Sequence, residues 1–307
     1  MLHKNEKIAH YVCIRVLSDR GQSPVYLVED LKDGVSYACK VVDRSKIDQS
    51  ILTHLEHEIR IHAFLRHENV VALKDVIYTD KYIAILTEYC SNGDLFEQIM
   101  KGYVKGRLFY EFFSQIAQGL DYIHSKGIAH LDLKPENVFI DSNYVAKIAD
   151  FGCCEEVSHF SKCKDIMGTL YYIAPEMLKS DCADPRFCDI WSFGVIMYST
   201  INGFLPWGNE CSSDKEIIEM IKRCHIKFPQ TMPSLLVGLI MKCLSLNPYN
   251  RPTSKELIQS SILCKYKPQR QLQKVSTADA LFKNTRIFKQ GASCLIKKSR
   301  RKSLQCI

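Results

Sequence analysis

The run His130-Leu131-Asp132-Leu133-Lys134-Pro135-Glu136-Asn137, followed by Asp150-Phe151-Gly152, constrains this chain more than any other feature. It places a carboxylate able to accept a hydroxyl proton, a lysine, and two oxygen ligands suited to a hard divalent metal within one short polar region. Apolar runs border that region, Val138-Phe139-Ile140 and Val145 to Ile148, and they predict strands. A fold that serves this sequence has to bring two loops and a pair of short strands to one point.

Further pieces follow in a fixed order. Lys40 ends the strand-like run Tyr37-Ala38-Cys39-Lys40-Val41-Val42, and Glu58 sits in Leu55-Glu56-His57-Glu58-Ile59-Arg60-Ile61, whose apolar spacing predicts an amphipathic helix. Ala174-Pro175-Glu176, Asp189-Ile190-Trp191-Ser192-Phe193-Gly194 and Asn247-Pro248-Tyr249-Asn250-Arg251-Pro252 complete the series. Any one of these short motifs alone has a bland structural explanation. Together, over about residues 8 to 262, they resemble the protein kinase superfamily.

That resemblance implies an α+β, bilobal fold with a small β-rich N-lobe (1–87), a hinge (88–93), a larger α-helical C-lobe (94–262) and a short basic tail (263–307). The local patterns agree with it. Residues 10 to 42, Val70 to Leu73 and Tyr82 to Leu86 predict strands, whereas Phe109 to His124, Trp191 to Ile201 and Leu235 to Leu244 carry helical periodicity. The resemblance implies ATP and Mg²⁺ as cofactors and assigns roles by motif. Asp132 would accept the proton of the incoming hydroxyl, and Lys134 would contact the phosphoryl being transferred. Asn137 and Asp150 would hold metal. Lys40 would grip the α- and β-phosphates, paired with Glu58, while Leu17, Val25 and the connector Glu88-Tyr89-Cys90 would enclose the nucleotide, with Thr87 guarding the rear pocket. Thr169 would tie Asp132 and Lys134 to the substrate loop. Glu176 and Arg251 would form a scaffold ion pair. The Lys134 and Thr169 combination resembles serine/threonine rather than tyrosine kinases, and Asp94 with Glu136 would face a basic residue upstream of the acceptor.

Within the superfamily, His67-Glu68-Asn69-Val70-Val71, the stretch Glu88 to Phe96, Gly168 to Glu176 and Gly203-Phe204-Leu205-Pro206-Trp207 resemble checkpoint kinases of the first type, which act in DNA-damage and replication control. An energy-sensing or calmodulin-regulated-like kinase of the same broad group is the alternative, and a pseudokinase scaffold is another. The last arises because Ser18, Arg20 and Ser23 fall where the family carries its three loop glycines, although Gly21 lies nearby. Backbone N–H groups approach phosphates most easily through glycine. Arg20 is a candidate replacement contact. A second departure is Leu131, at a position where many relatives carry an arginine that receives an activation-segment phosphate.

Charge separates body from tail. Residues 263–307 hold twelve Lys or Arg against one Asp (+11), leaving 29 against 33 (−4) elsewhere. The acidic body suits basic protein substrates bearing Ser or Thr, with no direct nucleic-acid contact, and a monomer is expected. Lys297 to Lys302 resembles a nuclear import signal, and Ser303 follows Arg300 at three residues. No signal peptide or membrane span is visible, which predicts a soluble protein of the nucleus and/or cytoplasm. Fourteen scattered cysteines without paired spacing predict free, mostly buried thiols, including Cys153 and Cys154 lining the segment after Gly152.

Overall fold

A computed structural model describes residues 2–19, 23–159, 168–179, 184–207 and 213–266. Seven elements build the amino-terminal lobe: β1 (Lys7–Ile8), β2 (Tyr11–Ser18), β3 (Val25–Asp30), β4 (Ser36–Asp43), α1 (Gln49–Phe64), β5 (Leu73–Tyr78) and β6 (Tyr82–Glu88). The strands form one antiparallel sheet in the order β1-β2-β3-β4-β6-β5. Side chains alternate across a strand, so its two faces can bury different partners. Tyr11, Cys13, Tyr26, Val28, Cys39, Val41 and Leu86 form one cluster, and Val42, Ile83 and Ile85 form another with Leu55 of α1. Lys40 shares a face with Val42, two residues on, which is the face that α1 covers. Asp48 starts α1 by accepting from Ile51 N–H at 2.9 Å.

The larger lobe contains α2 (Leu95–Met100), α3 (Gly106–Ser125), β7 (Ile128–Ala129), β8 (Val138–Ile140), β9 (Ala146–Ile148), β10 (Glu155–Glu156), α4 (Arg186–Asn202), α5 (Asp214–Arg223), α6 (Ser234–Cys243) and α7 (Ser254–Gln259). Its core is built around Phe112, Phe113, Ile116, Leu120 and Ile123 of α3 and Trp191, Phe193 and Ile196 of α4. Burying each such side chain contributes about 1.5–3 kcal/mol before the entropy of ordering is subtracted. Reciprocal capping boxes start α5 (Ser213 with Glu216) and α7 (Thr253 with Glu256). The result is an α+β, two-lobed architecture, with the short hairpin β8–β9 carrying the loops on which the site is built.

Two expectations change. Val70 to Leu73 is not a strand: Val70 makes an isolated bridge to Ile148, Val71 N–H donates to the Ile148 carbonyl at 2.8 Å, and the ladder starts only at Leu73. The packed body also passes residue 262, because Leu263 is fully buried in the larger core and the Tyr266 ring stacks on Tyr110 at 4.7 Å. Residues 267–307 lie outside the described residues, so Lys297–Lys302 and Ser303 receive no structural account; the same holds for Arg20, Gly21 and Ser161. Among the described residues, nine cysteines are free, six of them buried, and no helix is long and apolar enough to cross a membrane.

Candidate functional site

Asp132 is the hub of the site. Its Oδ1 accepts from Thr169 N and Thr169 Oγ1, each at 3.1 Å, while Oδ2 accepts from Lys134 Nζ at 2.5 Å and Asn137 Nδ2 at 3.0 Å. Lys134 Nζ also donates to Thr169 Oγ1 at 3.0 Å, so one lysine, one threonine and one carboxylate close a ring. Burial pushes the Lys134 pKa down, but Asp132, Asp150 and Glu136 outweigh it and hold the ammonium above its ordinary value. Lys134 therefore stays charged beside the place where an acceptor hydroxyl would lie.

The loop under Asp132 is fixed by groups remote in sequence. Asp189, fully buried at the start of α4, accepts from His130 N (2.8 Å) and His124 Nε2 (2.8 Å) with Oδ2, and from Leu131 N (2.7 Å) with Oδ1. Leu131 sits at φ +62°, a left-handed conformation that costs a β-region residue energy, and Asp189 holds the peptide there. Its side chain is buried in the larger core, so no charge faces the activation segment from this position. Gly168 meets two demands at once. Its φ is +89°, and a Cβ there would lie 2.7 Å from the Leu131 carbonyl oxygen, so no other residue lets the chain before Thr169 approach the loop this closely.

Asp150 also has a left-handed backbone, φ +66°, and its Oδ1 accepts from Gly152 N at 3.4 Å. Desolvation pushes its carboxyl up, but Lys40, Lys134 and His130 more than offset this and hold it below the ordinary carboxylate value. Both hydrogen bonds from Asn137 Nδ2 go to Asp132, one to the carbonyl at 2.8 Å and one to the carboxylate, which leaves the amide oxygen Oδ1 for another partner. An ionised carboxylate and a free amide oxygen are hard donors, and they fit Mg²⁺, which takes one or two protein carboxylates plus substrate oxygens rather than an all-protein cage.

On the lobe above, Lys40 Nζ lies 3.4 Å from both oxygens of Glu58. Burial works against the Lys40 charge, but Glu58 and Asp150 raise its pKa overall; burial, with Asp150 adding to it, raises Glu58 against the pull of Lys40. The ladder between β4 and β6 ends at Glu88, so the backbone of Tyr89 and Cys90 lies beyond the sheet pairing. Glu88 is turned away from the cleft: Oε2 is 3.0 Å from Lys147 Nζ, and Oε1 accepts from Ala72 N at 2.7 Å. Cys90, Val71 and Ala149 form a buried apolar cluster packed against Phe139, and burial first, then Glu88, pushes the Cys90 thiol up to about 12.

The strands expected to edge a nucleotide depart from simple expectation. Val25 pairs with Lys40 and Ser18, while Leu17 is the bulged residue between Val16 and Ser18. Neither Ser18 nor Ser23 is among the residues with positive φ, so the freedom of glycine is not required at these two positions. What Ser23→Gly still offers is the absence of a side chain between backbone and phosphate. It is expected to lower the apparent KM for ATP by no more than about threefold; an unchanged value in steady-state titrations would show that the serine already clears the phosphates. Asp94 has a structural duty. It caps α2, accepting from Glu97 N at 2.7 Å, so it is not a free solvated charge.

Sequence reasoning passed over Asp189 as a ligand of the catalytic loop, although it marked the residue as the start of a buried helix. It also missed His62 of α1, buried with Nε2 2.7 Å from the Val71 carbonyl and its ring 4.7 Å from Phe151. The only available signal was its place four residues after Glu58, on the same face of the helix.

The protein kinase domain family matches residues 15–263. Among curated proteins the chain is similar to CBL-interacting serine/threonine-protein kinase 19 of Arabidopsis thaliana, 31% identical over 84% of this chain and 54% of that protein. It is likewise similar to CBL-interacting protein kinase 26 of Oryza sativa subsp. japonica, 31% identical over 94% of this chain and 59% of that protein. A third relative, CBL-interacting serine/threonine-protein kinase 18 of Arabidopsis thaliana, is 33% identical over 77% of this chain and 46% of that protein. The chain thus spans about half the length of the curated relatives it matches. These names speak of CBL interaction rather than checkpoint control, so they lend the checkpoint resemblance no support.

Proposed function

Because the chain belongs to the protein kinase domain family, we propose that it transfers the terminal phosphoryl group of ATP to serine or threonine hydroxyls of protein substrates. The observation that carries this reading is the closed ring of Asp132, Lys134 and Thr169, with Asn137 donating to the same carboxylate. Asp132 orients the acceptor hydroxyl and takes its proton. Lys134 steadies the charge on the transferred group, while Lys40, braced by Glu58, aligns the phosphates. Asp150 and Asn137 would hold Mg²⁺, which when bound neutralises phosphate charge. Leu17 and Val25 would enclose the adenine, and the backbone at Glu88 and Cys90 would hydrogen-bond its edge.

Purified protein given labelled ATP, Mg²⁺ and a serine peptide containing arginine tests the reading directly. Transfer to the peptide is the expected result; a chain that binds ADP but transfers nothing is a pseudokinase scaffold. Intact acceptor, lysine and metal-ligand groups favour transfer, since altered loop glycines affect positioning more than chemistry. At the subfamily level, the CBL-interacting relatives favour another kinase of the same broad group over a checkpoint effector.

Substrate preference is the finer part of the proposal. Asp94 and Glu136 would select arginine three residues before the acceptor through charge-assisted hydrogen bonds. Alanine at Asp94 would also remove a helix cap, at a cost of about 1 kcal/mol. Asp94→Asn is the cleaner variant because asparagine caps equally well without the charge. A positional peptide library should show arginine selection in the parent, weaker selection in Asp94→Asn and weaker still with Glu136→Gln added. A flat profile in the parent would remove the specificity proposal while leaving the transfer chemistry standing.

A further inference from the structure

The helix that carries Glu58 is fastened to the segment after Asp150 by side chains that the chemistry above does not use. His57 places Nε2 3.3 Å from the Cys154 carbonyl oxygen. Arg60, one turn further along α1, brings Nη2 to 3.0 Å from His57 Nδ1 and lies 3.8 Å from Glu156 Oε1. A guanidinium has donors only, so Nδ1 has to accept; the ring is neutral and its proton sits on Nε2, which donates to the carbonyl. Arg60 thereby selects the tautomer that lets His57 reach across to Cys154. The far end of the chain is anchored too, since Glu155 and Glu156 of β10 pair with Ala129 and Ile128 of β7, directly before His130.

Kinase segments of this kind are commonly ordered by a phosphate set against basic side chains. Here Leu131 is buried and apolar, whereas α1 already grips unmodified backbone at Cys154. We propose that His57 and Arg60 are positioning residues that hold α1, and with it Glu58 against Lys40, over the segment after Asp150 without any phosphate. The consequence for turnover rests on the kinase reading; the tie itself does not. Between the two contacts to the segment, His57 carries more. The Arg60–Glu156 pair is solvent-exposed and 3.8 Å long, and such pairs contribute little, whereas the carbonyl contact of His57 is partly buried.

Two readouts keep those layers apart. Amide hydrogen exchange over Gln49–Phe64 reports the tie whether or not the protein is active. Steady-state kinetics with a serine peptide report its effect on catalysis. In phosphatase-treated protein, His57→Leu is expected to speed exchange in α1 and to lower kcat about tenfold while peptide KM stays within about twofold. His57→Gln, whose amide nitrogen can donate from the Nε2 position, should restore most of both. Arg60→Met should move exchange in the same direction by less. Parent-like exchange and kcat in His57→Leu, failure of glutamine to rescue, or loosening of α1 in the parent on phosphatase treatment would each overturn the proposal. Should the parent transfer no phosphoryl group, the kinase reading falls, and the exchange comparison still decides the tie.

Discussion

Asp132→Asn is expected to lower phosphoryl transfer by about 10² to 10⁴ with the fold intact, the range typical of losing a positioned general base. The wild-type carboxylate gathers donors on both oxygens, Thr169 at one and Lys134 with Asn137 at the other. An amide keeps a single acceptor oxygen and presents an NH₂ to donors on its other side, so the substitution removes the proton acceptor and also disturbs the ring around it. ADP affinity separates these effects, because the residues proposed to hold the nucleotide lie at Lys40 and along the hinge. Lost turnover with parent-like ADP binding is the expected pairing. Full turnover in a preparation free of contaminating kinase would strip Asp132 of its proposed role.

What the sequence discloses and what it hides follow from the range of the interactions. The elements that carry Lys40 and Glu58 were readable because each is periodic, a strand whose alternate residues share a face and a helix whose three- and four-residue spacing marks its buried side, whereas their pairing was implied only by the kinase resemblance. The long helices around Phe109 to His124 and Trp191 to Ile201 stand out for the same reason; both are found, each slightly longer, as Gly106–Ser125 and Arg186–Asn202. Periodicity does not tell a polar group which acceptor it will find. Asp189 reads as one polar residue in an apolar helix, yet its carboxylate fixes His124, His130 and Leu131 from 58 to 65 residues away. Val70 to Leu73 misled for a related reason. Val70 and Val71 are buried in two different clusters and meet Ile148 without entering a ladder, which begins only at Leu73, and composition alone cannot separate that from a strand.

Arg251→Met should be the most destabilising single change named here, with an expected loss of about 3–5 kcal/mol for removing one partner of a buried ion pair. Arg251 donates from Nη1 and Nη2 to the two oxygens of Glu176 at 2.6 and 2.7 Å, and only 3% of Arg251 and 6% of Glu176 is exposed. The same guanidinium donates to the Ser245 and Phe187 carbonyls at 2.9 and 2.8 Å and lies 4.9 Å from the Trp191 ring centre. Methionine would fill much of the volume but leave a carboxylate with no cation in the larger core. The penalty comes chiefly from that stranded charge rather than from the intrinsic strength of the pair, because a buried pair repays little more than its own desolvation. A double change, Arg251→Met with Glu176→Leu, is therefore expected to be more stable than Arg251→Met alone despite removing more polar contacts. Denaturant midpoints for the parent, both single variants and the double variant measure this. A loss under about 1 kcal/mol for Arg251→Met would show that water or a neighbouring donor reaches Glu176. A double variant less stable than Arg251→Met alone would show that Glu176 contributes through contacts other than the pair, such as the Cys188 thiol 3.4 Å from its Oε1, and that stranded charge is not the main penalty.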